Sequence, residues 1–432
     1  MKNIPGEDDI KNHVPDVKRI EIFSWCLYDF ANSSFTTLIV TVAYAVYFKS
    51  YVCTPAKGDF FWGLAFSISM LFVALTSPIF GAMADFSAQK KRYLIYYTLA
   101  AVICTALLFF VQKGNLLSGI ILFIIANIGF EGGYVFYNAF LTEISRNDNI
   151  GRISGYGWAA GYAGGLLSLL IASPLIKEGL GEENILNFRL SFPVVALFYF
   201  VFSIPIFLWI RERALPFPLP PGENYVTAGF RRLSSTLSHI RKYREAAKFI
   251  VASLIYTDGM TTVIVFSSIY AVTTLNYTMR EVTLLFIATQ FTAFAGAALF
   301  GHLQDWIGGK KAINLTLILW CVVCAAAYLA TTKLQFFIIA MIAGLGMGSN
   351  QSVSRSFMGL FIPKGRDAEF FGFYILSGKF ASILGPVLFG YISSATGNQR
   401  IAILFVTLFF LLGLIVMAFV SEEKGIHAAK SQ

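Results

Sequence analysis

Residues 81–92 read Gly-Ala-Met-Ala-Asp-Phe-Ser-Ala-Gln-Lys-Lys-Arg, and residues 301–311 read Gly-His-Leu-Gln-Asp-Trp-Ile-Gly-Gly-Lys-Lys. Each stretch closes a long apolar run. The glycine, the aspartate and two lysines of the first stretch recur in the second at one constant offset of 220 positions. This repetition predicts a chain made of two related halves, an organisation typical of membrane transporters.

The composition places the chain in lipid. Hydrophobic residues make up 56% of its 432 positions and charged residues only 13%, whereas soluble domains carry roughly a quarter charged residues. A helix needs about 20 apolar residues to cross a bilayer, and twelve stretches reach that length. They are residues 25–48, 60–83, 93–112, 117–140, 153–176, 188–210, 246–272, 280–303, 312–331, 334–360, 371–395 and 399–420. The sequence therefore predicts an all-α membrane protein with twelve transmembrane helices in two pseudo-symmetric six-helix bundles.

Lysine and arginine concentrate between spans 2 and 3, 6 and 7, and 8 and 9. Because short loops rich in these residues stay on the cytoplasmic side, both termini are expected there. The predicted parts are a cytoplasmic N-terminal segment (1–24), an N-terminal six-helix bundle (25–210), a cytoplasmic linker with an amphipathic helix (211–245), a C-terminal six-helix bundle (246–420) and a cytoplasmic tail (421–432).

Several function classes are disfavoured. The net charge of +9 reflects the loop bias, so no nucleic-acid partner is expected. Cys321 and Cys324 form a CxxC inside an apolar helix without a nearby histidine, and we predict no metal site and no cofactor. No loop could hold a catalytic domain and no Ser/His dyad is visible, so an enzyme is not expected. A phosphate-binding GxxxxGK[ST] loop, which ATP-driven pumping would require, does not occur.

Twelve spans, a basic central linker and the repeated turn together resemble the major facilitator superfamily. Within it, the sequence Trp-Cys-Leu-Tyr-Asp-Phe-Ala-Asn-Ser-Ser-Phe at 25–35 looks like the signature of the vacuolar-effluxer-like family, the relatives of autophagy-related protein 22. Further matches lie at residues 135–138, 151–158, 354–356, 369–374 and 377–379. The resemblance covers nearly the whole chain. It implies a secondary transporter that exports small solutes, amino acids among them, and we expect a monomer in a bacterial inner membrane.

In that superfamily the turn motif is a latch that holds the cytoplasmic side closed in one state. The gating residues implied here are Gly81, Asp85, Lys91, Arg92, Gly301, Asp305, Lys310 and Lys311. Asp85 is expected to work with Arg92. Asp305 is expected to work with Lys310 or Lys311, although the second turn lacks a third base. In the alternative interpretation, these are loop charges that only set the topology.

Charges inside the spans point to the chemistry, because an ionisable group in hydrocarbon persists only beside a partner or a wet cavity. Five such residues are Asp29, Glu131, Asp258, Arg355 and Lys379. Spans 1, 4, 7 and 10 line the central cavity in the superfamily, and the first four of these charges fall on them. The sequence thus predicts one water-accessible chamber between the halves.

The expected roles differ by side chain. Asp29, Glu131 and Asp258 are candidates to carry a proton or to bind a solute ammonium group. Arg355 is a candidate for a solute carboxylate, and Lys379 for neutralising one acid. The amides expected to hydrogen-bond the solute are those of Asn32, Asn138 and Gln351. In the alternative, the charges pair with one another and only fix helix packing.

We therefore expect a secondary active transporter that moves a small polar or zwitterionic solute by alternating access, with a proton as the coupling ion and export as the direction. Gly385 and Pro386 in span 11 are expected to form a bending point for the moving halves. One alternative is a lipid or amphiphile translocase with an apolar lateral opening lined by phenylalanine. Another is a non-transporting sensor or scaffold that uses the basic linker as its contact surface.

Overall fold

The computed structural model describes residues 17–53, 55–176, 178–214, 216, 224–238, 240–380 and 384–431. Every regular element in these residues is helical. The membrane helices are α1 (Arg19–Ser34), α2 (Pro55–Ser87), α3 (Lys90–Leu107), α4 (Leu116–Ile144), α5 (Ile150–Ile176), α6 (Ile185–Trp209), α7 (Arg244–Leu275), α8 (Met279–Ile307), α9 (Gly309–Leu329), α10 (Lys333–Leu360), α11a (Asp367–Phe380) with α11b (Leu384–Thr396), and α12 (Gln399–Ala418). A linker helix (Tyr225–Ser238) and a tail helix (Glu422–Lys430) lie outside this set.

Eleven spans in the described residues are long and apolar enough to cross a membrane. The twelfth predicted span corresponds to α11a and α11b, of 14 and 13 residues, and residues 381–383 between them lie outside the described residues. The predicted bending point at Gly385 and Pro386 lies within α11b and stays a prediction. The partition into domains stays a prediction; the helices themselves begin and end within a few residues of the predicted spans.

The first span departs from regular α-helix. After α1, residues Phe35–Val42 form a π-helix, and with the turns that follow the span extends over Arg19–Val52. The Thr41 hydroxyl donates to the carbonyl of Thr36, five residues earlier, at 2.9 Å. The π segment is rich in β-branched residues, which crowd the preceding turn of an α-helix. Wide turns of this kind frequently mark functional sites.

The two bundles are built alike at the end that carries the basic turns, here called the basic end. The Glu212 carboxylate, just after α6, accepts the first two backbone N–H groups of α3. The Glu422 carboxylate, just after α12, accepts the first two N–H groups of α9. Each glutamate thus satisfies N–H groups that a helix start leaves unpaired. The sequence repeat is therefore also a repeat of local structure.

This equivalence changes which lysines correspond. The Lys91 ammonium donates to the carbonyl of Ile210 at the end of α6, and the Lys310 ammonium donates to carbonyls at the end of α12. Lys91 therefore corresponds in space to Lys310, and Lys90 corresponds to Gly309. The constant sequence offset fails after the aspartates because the second turn is one residue shorter there.

The bundles meet most closely at the basic end, where α2 packs against α11a and α5 packs against α8. A Cβ atom on Gly81 would overlap the carbonyl group of Ala368. One on Gly301 would lie 2.6 Å from the carbonyl oxygen of Gly151. Both glycines of the repeated motif thus lie where two backbones come into direct contact.

Within the second bundle, α8 and α10 are equally close. A Cβ atom on Gly348 of α10 would overlap the carbonyl oxygen of Ala293 of α8. We expect Gly348→Ala to destabilise the protein by about 1–3 kcal/mol or more, since overpacking forces the two backbones apart. Chemical denaturation in detergent measures the change.

The matched control is Gly63→Ala in α2, where a new Cβ would meet nothing within 4 Å. Alanine there should leave stability unchanged or raise it by about 0.5–1 kcal/mol, because it lowers the backbone entropy of the unfolded chain. Equal effects of the two substitutions would contradict the packing account.

Candidate functional site

Two carboxylates join the bundles at the basic end. Asp85, in the last turn of α2, accepts the backbone N–H groups of Ala368 at 3.1 Å and Glu369 at 2.9 Å, at the start of α11a. The start of a helix favours a negative charge because its N–H groups point outward and its dipole is positive there. We call this contact the first latch.

The second latch mirrors the first. Asp305, at the end of α8, accepts the N–H groups of Gly151 at 2.8 Å and Arg152 at 2.9 Å, at the start of α5. The Arg152 guanidinium adds an ion contact at 3.8 Å. Each bundle thus offers an aspartate to a helix start of the other, and the two latches together join the bundles at the basic end.

A buried lysine distinguishes the first latch. The Lys90 ammonium is completely buried and lies 3.5 Å from Asp85, 2.7 Å from Glu143 and 2.9 Å from Asp367. The Thr142 hydroxyl donates to the other oxygen of Asp367 at 2.6 Å. These contacts bring α2, α3, α4 and α11a to one point. The second latch has Gly309 in the place of Lys90.

The other predicted gating bases lie elsewhere. Arg92 is exposed and donates to the Gln89 side chain at 3.2 Å, while Lys311 is exposed on the second turn. The base that the structure gives to Asp85 is thus Lys90, where the sequence predicts Arg92. Asp305 has Arg152, from the opposite bundle, in place of the predicted lysines, because Lys310 reaches the end of α12.

A further ion pair between the bundles lies deeper in the membrane. Arg355 of α10 donates through Nη1 to the Asp29 carboxylate of α1 at 2.9 Å. Its Nε donates to the Ser154 hydroxyl at 3.0 Å and its Nη2 to the Ser154 carbonyl at 2.6 Å, both on α5. The Tyr134 hydroxyl lies 3.5 Å from Nη1. Asp29 and Arg355 are each only 2% exposed, so this conformation seals the pair.

Aromatic rings surround the Arg355 guanidinium. Its central carbon lies 4.8 Å from the ring centroid of Trp25, 5.2 Å from that of Trp158 and 5.7 Å from that of Tyr137. Ring faces attract a cation, and more strongly where water is excluded. The indole nitrogen of Trp158 is buried without a hydrogen-bond partner in the described part of the chain. The site therefore contains a paired cation and a buried indole N–H that lacks a hydrogen-bond partner among the described residues.

Asn32, Asn138 and Glu131 are buried near this level, and Gln351 is half-buried. Asn32 is 3% exposed and Glu131 is 9% exposed. Asn138 is 1% exposed, and its side-chain oxygen has no hydrogen-bond partner among the described residues. The Gln351 side chain accepts from the hydroxyl of Tyr162, which again joins α10 to α5.

Asp258 serves a different contact. Both of its oxygens lie 2.9 Å from the backbone nitrogen of Gly385, at the start of α11b. Asp258 is 2% exposed and thus fixes the second part of α11 against α7. Lys379 lies in α11a, and its side chain is outside the described residues. The structure brings Asp29 and Arg355 together, whereas Asp258 contacts the backbone of α11b.

An apolar cavity of about 490 Å³ lies in the half of the second bundle away from the basic end. Phenylalanines 266, 286, 336 and 389 contribute to its wall, and none of the described residues that line it is charged. Its polar groups include Thr41 on the π-helical part of the first span and Gln290 on α8. A space of this size and lining suits an apolar group of a ligand.

Comparison with known proteins agrees with this architecture. Residues 59–430 match the family model described as vacuole effluxer Atg22 like. The chain belongs to this family. It is 30% identical over 417 residues to the uncharacterized MFS-type transporter YxiO of Bacillus subtilis, covering 95% of this chain and 96% of that protein. It is 25% identical over 451 residues to autophagy-related protein 22 of Yarrowia lipolytica, covering 83% and 75%.

Solved structures show the fold of this Atg22-like chain. The human organic anion transporter MFSD10 (TETRAN) aligns with a TM-score of 0.75 at 13% identity, over 92% of this chain and 99% of that one. The transporter FucP aligns with a TM-score of 0.70 at 17% identity, over 93% and 98%. The predicted major facilitator fold is confirmed. The chain is a multi-pass membrane transporter of the major facilitator type and not an enzyme.

Sequence analysis did not identify several residues that contact Lys90 or Arg355. Glu143 and Asp367 lie at the basic end of α4 and at the start of α11a, so their position opposite Lys90 could have suggested an ion cluster. Ser154 and Trp158 are four residues apart in α5 and share a helix face. Nothing in the sequence indicates that this face meets Arg355, because that contact depends on how the two bundles are docked.

The Lys90 cluster predicts a large and specific stability effect. Lys90→Met leaves the carboxylates of Asp85, Glu143 and Asp367 buried without their cation, and removal of one partner of a buried pair costs about 3–5 kcal/mol. Denaturation in detergent should show that loss. The control Lys311→Met removes an exposed base and should change stability by less than about 1 kcal/mol. Similar losses in both variants would contradict the role of the cluster.

Glu212 predicts a pH dependence. Burial raises the pKa of its carboxyl group above the ordinary 4.5, although the N–H groups at the start of α3 act in the opposite direction. An acid with a raised pKa in the folded state loses stability as the pH rises through that pKa. The wild type should therefore lose stability relative to Glu212→Gln as the pH rises from about 4.5.

Thermal unfolding from pH 4 to pH 8 measures this difference. Glu182→Gln, at an exposed position, is the control and should follow the wild type at every pH. If the wild type instead becomes more stable relative to Glu212→Gln as the pH rises, the folded protein stabilises the ionised carboxylate and the prediction is wrong.

Proposed function

We propose that this transporter moves a small polar solute with a carboxylate group, such as an amino acid, by alternating access coupled to protons. The observation that carries the proposal is the sealed Asp29–Arg355 pair, which joins α1 of one bundle to α10 of the other. Arginine binds carboxylates well because its planar group donates two parallel hydrogen bonds. A solute carboxylate would take the place of Asp29 on Arg355.

A proton completes the exchange. When a proton neutralises Asp29, Nη1 of Arg355 loses its ionic partner and becomes available to the solute. The unpartnered indole N–H of Trp158, whose ring faces the same guanidinium, would donate to a polar group of the bound solute. Proton and solute would then be bound together, so they would cross in the same direction. Because protons run down their gradient, the solute would leave the more acidic side of the membrane. That direction is release from an acidic vacuole, as the family resemblance implies, but uptake at a bacterial inner membrane.

The latches supply the gate. With the basic end on the cytoplasmic side, Asp85 and Asp305 would keep the cytoplasmic end of the transporter closed. Opening toward the cytoplasm requires the starts of α11a and α5 to leave these carboxylates. It also requires Arg355 to separate from Asp29 and Ser154, which a neutral Asp29 and a bound solute would make less costly.

A second candidate is transport of amphiphiles. The apolar cavity of about 490 Å³ in the second bundle could hold an alkyl or aromatic group, and Gln290 could bind a polar group beside it. This interpretation does not use Arg355. Variants of Arg355 would then leave transport of the amphiphile unchanged.

Flux into proteoliposomes tests the main proposal with a panel of labelled amino acids, with and without a pH gradient. Arg355→Lys should lower the flux roughly ten- to hundredfold, since a hydrogen bond to a charged group is lost. Asp29→Asn should abolish the response to the pH gradient while exchange of solute without a gradient continues.

Asp148→Asn, at an exposed position before α5, is the control for Asp29→Asn and should keep the wild-type response. A full response to the gradient in Asp29→Asn would contradict proton coupling at this residue. Movement of amphiphiles alone, with no amino acid transported, would favour the second candidate.

A further inference from the structure

A groove at the basic end lies between the start of α7 and the end of α12. It encloses about 360 Å³ and is lined by Arg241, Arg244, Ala247, Lys248, Val251 and Val416. It is separate from the Arg355 site and from both latches. Its basic residues lie three and four positions apart, a spacing that places side chains on one face of a helix.

The positive charges in this groove are only partly compensated. Lys248 pairs with Glu245 at 2.6 Å and also donates to the carbonyl of Phe419. For Arg241 and Arg244, the described residues offer no acidic side chain within ion-pair distance. Neither guanidinium group forms a direct ion pair in the described part of the chain, although Glu245 interacts electrostatically with Arg244 from a greater distance.

The wall below these bases is apolar. Val251 is 52% exposed, one turn further into the membrane than Ala247, and Val416 approaches it from the last turns of α12. Basic groups above and apolar surface below match the arrangement of a phospholipid, whose phosphate lies at the interface and whose chains lie in the hydrocarbon. Basic pockets between membrane helices on the cytoplasmic side are suited to anionic headgroups.

The first bundle shows that the fold does not require this charge. Glu21 and Glu245 are equivalent, because each accepts the backbone N–H just beyond the last helix of its bundle, from Arg211 and Ser421 respectively. Ile20 precedes Glu21 and Arg244 precedes Glu245, so the first bundle has an isoleucine at the position of Arg244. The groove of the first bundle, of about 530 Å³, also contains Lys18, Lys91 and Arg211, but it includes the carboxylates of Glu21 and Glu212.

We propose that the groove between α7 and α12 binds one anionic phospholipid from the leaflet at the basic end. The phosphate lies between Arg241 and Arg244, with Lys248 at its edge, and one acyl chain follows Val251 and Val416. The lipid thereby connects the first helix of the second bundle to the last. This site is independent of the transported solute.

Native mass spectrometry of the detergent-purified full chain tests the proposal, with phosphatidylglycerol and phosphatidylcholine titrated separately. The wild type should retain one phosphatidylglycerol in preference to phosphatidylcholine. Arg241→Gln with Arg244→Gln should weaken that binding roughly thirtyfold. The matched control, Lys242→Gln with Lys364→Gln, removes two exposed bases outside the groove and should change binding less than about twofold, because charges away from the phosphate contribute little.

Two further experiments distinguish lipid binding from misfolding of the variant and from binding of free phosphate. Arg241→Lys with Arg244→Lys keeps both charges and should restore most of the preference, which shows that the Gln variant has not simply misfolded. Inorganic phosphate and glycerol phosphate should fail to displace the lipid at millimolar concentration, since they lack the chains. No preference in the wild type, equal loss in the control, retained binding in the Gln variant, no recovery in the Lys variant, or displacement by free phosphate would each overturn the proposal.

Discussion

A charged side chain inside a membrane must have a partner, and Arg355 has its partner across the boundary between the two bundles. Its guanidinium belongs to α10, yet its acceptors lie on α1 and α5, and the rings around it are Trp25, Tyr137 and Trp158. Separation of the bundles would leave both Asp29 and Arg355 in a poorly solvated site, which costs several kcal/mol per ion. The docking of the bundles and the ionic state of Asp29 are therefore linked.

The closure at the basic end uses backbone groups more than side-chain pairs. Each aspartate of the repeated motif accepts two N–H groups from a helix of the other bundle. Closure therefore needs only this carboxylate and the close contact between backbones that the glycine four residues earlier allows. The latches nevertheless differ. Lys90 ties the first to Glu143 and Asp367, whereas Gly309 takes its place in the second. The two sides of the closed end are thus held by unequal electrostatic contacts.

Much of the fold could be predicted because its signals are local. Apolar length fixes the spans, and the repeat at Gly81 and Gly301 indicates the duplication. Asp29 and Arg355 could be selected because a charge within a span is conspicuous. The sequence allowed the span charges to pair with one another, but that Asp29 pairs with Arg355 could not be predicted, since it depends on how the two bundles are docked. The correspondence of Lys91 with Lys310 was hidden for a related reason, because only contacts with α6 and α12 reveal the one-residue shift.

The central claim is that the two ends of the transporter open in alternation and that the Asp29–Arg355 pair links them. Spin labels in a cysteine-free background, at Arg92 and Lys364 for the basic end and at Lys113 and Leu334 for the other end, report the two distances in proteoliposomes. The account predicts that neutralisation of Asp29, by low pH or by Asp29→Asn, lengthens the distance at the basic end and shortens the other. Distances that stay fixed at both ends, or that change in the same sense, would contradict it.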